Sequence, residues 1–147
     1  MADYTTHFST LFDVRTPENV ERAFTFYLDL AREIEEEDQT SLNFALDRER
    51  GEPDSESSTT FWIHDNDYGD PGHVIAFVKR CAAAFGLDGL WGFVWSHDCS
   101  KPRLDAYGGG AAVIDLATGA SETIDVSNWL GDRLAGRADR PTPRPAG

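Results

Sequence analysis

Residues 7–14, HFSTLFDV, alternate so that Phe8, Phe12 and Val14 fall on one side of an extended chain, which predicts a strand. The spacing then changes. From Val20 the apolar positions run Ala23, Phe24, Tyr27, Leu28, Ala31 and Ile34, the three-and-four rhythm of a helix facing a core. Thr16 is placed to accept from the first free amides. Pro17 suits the first helical position, and Glu18 suits the positive end of the helix dipole. Residues 41–46, SLNFAL, read as a second strand. The polar, Gly- and Pro-containing run 47–58 reads as a loop, and 59–65, TTFWIHD, as a third strand.

The sequence of patterns then repeats. Asp70 precedes Pro71 as Thr16 precedes Pro17, and Val74, Phe77, Val78, Cys81, Ala84 and Phe85 form a second helical stripe. Residues 90–98, LWGFVWSHD, are the next strand. This order predicts an α+β fold, a ferredoxin-like βαββαβ sandwich whose two halves are crude duplicates. Residues 111–116 and 121–126 extend it with a C-terminal hairpin turning at Gly119. A short helix over 127–134 follows, capped by Ser127 and burying Trp129 and Leu134. Residues 1–134 thus read as one domain, and 135–147, rich in Pro and Arg without apolar periodicity, as a flexible tail.

Composition adds a size and an environment. A chain of 147 residues can bury roughly 68–70% of its unfolded surface, and nine Phe with four Trp and four Tyr supply the side chains to do so. No apolar run reaches the ~20 residues of a membrane helix, and the first ten residues lack the basic and apolar regions of a signal peptide. Two cysteines do not make a disulfide framework. The expected setting is the cytoplasm.

Charge changes the picture more. Twenty-six acidic residues against thirteen basic give a net charge of −13. Beyond Gly131, Arg133, Arg137, Arg140 and Arg144 outnumber Asp132 and Asp139, so residues 1–130 are more acidic still. Such a body repels phosphate backbones and anionic lipid, which argues against direct nucleic-acid or membrane binding and for a basic protein surface as partner. Glu35, Glu36, Glu37 and Asp38 gather where the first helix ends, and the dipole there opposes negative charge. With Asp47, Glu49, Glu52, Asp54 and Glu56 they form a candidate acidic binding rim. Solvated charge kept for solubility is the plain alternative.

Three stretches carry candidate chemistry. In WGFVWSHDCSKPR, strand geometry puts Phe93, Trp95 and His97 on one face and Val94, Ser96 and Asp98 on the other. Cys99, close to Lys101 and Arg103, could be an activated thiol with His97 and Asp98 beside it, although no base or oxyanion hole is signalled. A structural cysteine is the simpler account there. Cys81, on the stripe of the second helix, belongs to the core. His64, His73 and His97 could meet at one end of the sheet as metal ligands, but HDNDYGDPGH fails the spacing of a calcium loop, and a polar turn with Asp70 as cap explains it. YGGGAA, residues 107–112, lacks the ending of a phosphate loop and leads into a strand. Its glycines point to a bulge or a close backbone approach.

The block GFVWSHDCSKPRLDAYGGGAAVIDLATG, together with PGHVIAFVKRCAAAFGL before it, resembles a segment of small uncharacterised acidic proteins of bacterial plasmids, phages and related mobile elements. The resemblance covers the second half of the chain. It implies no catalytic residue and no cofactor, but a context in which small acidic proteins inhibit or mimic something in host defence. The leading expectation is therefore a non-enzymatic interaction protein, in one version an inhibitor presenting carboxylates in place of phosphates. A small metal- or cysteine-dependent enzyme using His64, His97, Asp98 and Cys99 is a second expectation. A third is a ligand-binding open sheet face, where His7, Trp62 and His64 project away from the helices.

Overall fold

The computed structural model of the chain describes residues 4–48, 59–66, 68–99 and 108–136. Among these residues, seven strands and three helices follow in the order β1 (Tyr4–His7), β2 (Ser9–Asp13), α1 (Pro17–Asp38), β3 (Ala45–Arg48), β4 (Thr60–His64), α2 (Pro71–Phe85), β5 (Leu90–Cys99), β6 (Gly108–Asp115), β7 (Ser121–Asp125) and α3 (Val126–Leu134). The class is α+β, as the patterning predicts. The strands are arranged in two antiparallel sheets, β1-β5-β6-β7 and β2-β4-β3.

The division occurs at Phe8. The expected first strand is interrupted there, and its two parts serve different partners. Thr6 stands opposite His97 of β5, whereas Phe12 stands opposite Phe61 of β4. Asp65 stitches the break: its amide donates to the Phe8 carbonyl at 3.1 Å, and its carboxylate accepts from the Phe8 amide at 2.8 Å. The backbone groups freed by the interruption thus find partners, as buried amides must. Alternation continues through the junction. Phe8 and Phe12 turn inward while His7, Ser9 and Leu11 share the outer side.

α1 and α2 cover the inner side. Phe24 of α1 meets Phe61 edge-on at 5.1 Å, and Tyr27 meets Phe44 at 5.1 Å. Phe77 of α2 lies among Phe12, Tyr27 and Phe44, and Phe8 meets Phe93 at 5.7 Å, so one core runs beneath both sheets. Edge-to-face ring pairs of this kind add to the area they bury. The Arg80 guanidinium forks onto the Glu33 carboxylate at 2.8 and 2.9 Å and ties the helices together. Its hydrogen bond holds the Glu33 carboxyl below the usual carboxylate range.

The predicted caps are present. Thr16 Oγ1 accepts from the Asn19 amide and Asp70 Oδ1 from the Gly72 amide. Several details differ from the sequence reading. In α1 the buried path is Val20, Ala23, Leu30 and Ile34, with Leu28 at 66% exposure. At 100° per residue the stripe through 23, 27, 30 and 34 leaves position 28 outside. In α2, Ala82 is buried and Ala84 exposed. Strand β3 begins at Ala45 rather than 41, because its register follows β4 (Leu46 opposite Ile63), and it takes Asp47 and Arg48 out of the expected loop. The C-terminal helix is capped by Asp125, whose carboxylate accepts from the Asn128 amide at 2.9 Å, not by Ser127. Its Trp129 and Leu134 are exposed, at 60% and 66%, since the helix follows β7 at the edge of the four-stranded sheet. Residues 137–147 lie outside the described residues, as does most of the loop 47–58. No helix is long and apolar enough to cross a membrane among the described residues.

Candidate functional site

The side of the sheets away from α1 and α2 gathers the chemically interesting groups. On β4, Trp62 stacks on His64 with 3.7 Å between ring centroids and 23° between planes. The indole Nε1–H donates to Ser9 Oγ of β2 at 2.8 Å. His64 Nε2 lies 2.7 Å from the Asp47 carboxylate of β3, and its Nδ1 lies 3.0 Å from the Asp65 carbonyl. Three neighbouring strands therefore hold one aromatic ring in place, and the ring remains 42% exposed.

Beside it, across the junction, His7 bridges the two sheets. Its Nδ1 lies 2.9 Å from the Asp65 carboxylate and its Nε2 3.4 Å from that of Asp98 on β5. Thr5 Oγ1 is within 3.1 Å of the same Nε2 and also bonds the Asp98 carboxylate. A shallow cleft of about 390 Å³ opens there, lined by His7, Ser9, Asp65, Val94 and Ser96, with Phe8 and Trp95 beneath. Sequence reasoning picked out His7, Trp62 and His64 but not Thr5 or Asp65. Period-two alternation marks Thr5 as a neighbour of His7, whereas nothing local announces that Asp65 crosses the junction.

Of the candidate reactive stretch, His97 and Asp98 are divided between the two faces of the sheet, while Lys101 and Arg103 lie outside the described residues. His97 and Asp98 diverge as strand geometry requires: the Nδ1 of His97 lies 2.8 Å from Thr6 Oγ1 on the inner side, while Asp98 joins His7 on the outer. Cys99 is the last residue of β5, opposite Tyr4. His64 lies on the outer face, away from His97. His73 sits at the start of α2, where its Nδ1 accepts from the Asn43 amide at 3.1 Å and its Nε2 approaches Asp70 at 3.3 Å. His64, His73 and His97 thus have different partners and are not brought together. Among the described residues, no three His, Cys, Asp or Glu side chains are grouped to hold an ion. Cys81 is fully buried, and burial pushes its thiol up to about 12. The glycines of β6 allow a close approach, as expected. A Cβ on Gly110 would stand 2.4 Å from the Ile124 carbonyl and 2.7 Å from the Trp95 ring.

Of the expected acidic rim, Glu35, Glu36 and Glu37 are exposed in the last turns of α1, where there is no basic residue and Gln39 ends the helix in the left-handed conformation. Asp38 closes the same helix. Asp47 is separate from them, on the outer sheet face against His64, because β3 continues through it. Glu49, Glu52, Asp54 and Glu56 lie outside the described residues. No protein-family model, no curated protein and no solved structure matches the chain.

Proposed function

We propose that this chain is a non-enzymatic acidic interaction protein of the cytoplasm that binds a basic surface on another protein. One observation carries the reading. Arg15, Arg32 and Arg80 are paired with Asp88, Asp29 and Glu33, and Arg22 and Arg133 lie over aromatic rings, yet none of these cations meets Glu35, Glu36 or Glu37. Among the described residues these five cations are engaged elsewhere, and Glu35, Glu36 and Glu37 at the end of α1 face solvent, where a basic partner would find them. An inhibitor that sets carboxylates where a nucleic acid would set phosphates is the narrower form of this reading, in keeping with the resemblance to mobile-element proteins. We also read the fold as a ferredoxin-like unit opened at Phe8. The order β2-β4-β3 around α1, and the pairing of β5 with the same N-terminal segment, support that reading.

The test is binding to immobilised basic proteins across a salt series. Affinity should fall steeply as ionic strength rises, and a Glu35→Gln, Glu36→Gln, Glu37→Gln variant should bind more weakly at low salt. Affinity that ignores salt would remove the reading.

A further inference from the structure

The helix-free face of the sheets has a composition of its own. The registers put Leu11, Trp62, Leu90, Val94, Val113 and Ile124 on it, exposed by 50%, 42%, 76%, 69%, 40% and 62%. Scattered apolar side chains on a surface are ordinary, but a set drawn from five strands and pointing one way marks an interaction site. Apart from His7 and His64, which meet Asp98 and Asp47, the charged side chains on this face among the described residues have one sign. Asp13, Asp47, Asp98 and Glu122 share this face, and the described strands contain no lysine and one arginine, Arg48, which the register with Phe61 turns to the other side.

We propose that this face is the docking surface for a protein partner whose contacting patch is apolar and carries lysine or arginine, with Trp62 as its anchor. The proposal rests on the acidic-interaction reading above and names where the partner sits. Charge complementarity selects the occupant. A second copy of this chain would bring the same carboxylates and another −13 against them, whereas a cationic patch answers Asp47, Asp98 and Glu122 while its apolar groups cover Val94 and Ile124. Trp62 suits the role of anchor because its ring is already fixed by His64 and Ser9, so little freedom is lost when it is covered. The cleft between Ser9 and Ser96, with Asp65 in its wall, offers a place for one long cationic side chain beside it.

The experiment follows backbone and indole NMR signals of the full chain during titration with three peptides: an amphipathic Leu/Lys peptide, an oligolysine of equal charge, and a Leu/Glu peptide. The Leu/Lys peptide is expected to shift Ser9–Leu11, the Trp62 indole, Val94–Ser96 and Ile124, and to bind at least about tenfold more tightly than either control. Trp62→Ala should weaken it about tenfold or more, as an interface anchor does, with Trp62→Phe recovering part of the loss and an unchanged spectrum elsewhere showing that the fold is kept. Shifts confined to the end of α1, no shifts at all, or oligolysine binding as well as Leu/Lys would overturn the docking face; with shifts at α1, the acidic reading survives. Equal binding of the Leu/Glu peptide would overturn the acidic reading itself. Self-association in sedimentation that involves these same signals would assign the face to a second copy and overturn the proposal.

Discussion

Reversing one charge at the end of α1 tests whether the acidic cluster costs the molecule stability. Glu37 is exposed in the last turn of a 22-residue helix that has no basic residue there, and Glu33 precedes it by one turn. A carboxylate at that end opposes the dipole by about 0.3–1 kcal/mol, and a lysine gains a similar amount, so Glu37→Lys should stabilise by roughly 1 kcal/mol after solvent screening. It also replaces a like-charge neighbour of Glu33 with an opposite one in the favoured order along the helix. For a domain of this size that raises Tm by about 2–4 °C. The paired control is Glu18→Lys in the first turn, where the same reversal has the opposite sign and should lower Tm by a similar amount. The assay is thermal unfolding followed by circular dichroism at low salt and again at about 1 M, where the screening length falls to about 3 Å and both effects should largely vanish. If Glu37→Lys lowers Tm, or raises it equally in high salt, the electrostatic account of this helix end is wrong. If it raises Tm while weakening binding to basic proteins, the cluster is maintained at a cost to the fold.

Other outcomes follow from the core and the caps. Cys81 should be inert: in a Cys99→Ala background, the folded protein should show no thiol that reacts with a disulfide reagent, and one after denaturation. Because burial raises this thiol, the fold favours its neutral form, so its contribution is complete below the ordinary thiol range and is lost as pH climbs from about 9 toward 12. Urea midpoints over that interval should fall, and less so in Cys81→Ala, with Tyr27, also raised by burial, contributing in the same direction. Gly110→Ala should cost at least about 2 kcal/mol in urea unfolding, since its Cβ would meet the Ile124 backbone carbonyl of the neighbouring strand as well as the Trp95 ring. Asp70→Ala should cost about 1 kcal/mol by removing the acceptor for the Gly72 amide at the start of α2.

The sequence reading succeeded where the signal is local. Thr16 and Asp70 before proline locate two helix starts, alternation in 90–98 sorts His97 from Asp98, and the apolar stripe of α2 buries Cys81. It lost what depends on distant partners. The break at Phe8 has no mark in HFSTLFDV, because it exists only where β4 ends at His64 and β5 takes over the pairing with β1. Ser127 and Asp125 are both acceptable caps in isolation, and the end of β7 decides between them. The amphipathic pattern of the last helix suggested burial, but burial needs a facing layer, and among the described residues Trp129 has Arg133 over its ring and stays exposed. On the outer face, the alternation of Val94, Ser96 and Asp98 was plain. That it would line up with Leu11 and Trp62 required the registers.

The junction at Phe8 also bears on the order in which the protein can be completed. Thr5 and Asp98 are 93 positions apart, so β1 leaves the ribosome long before the strand it must pair with has been made. The small sheet and α1 can close around Phe12 and Phe61 in the meantime. The pairing of β1 with β5 is then a long-loop closure, and the edge of β5 that faces β1 stays open until it is made.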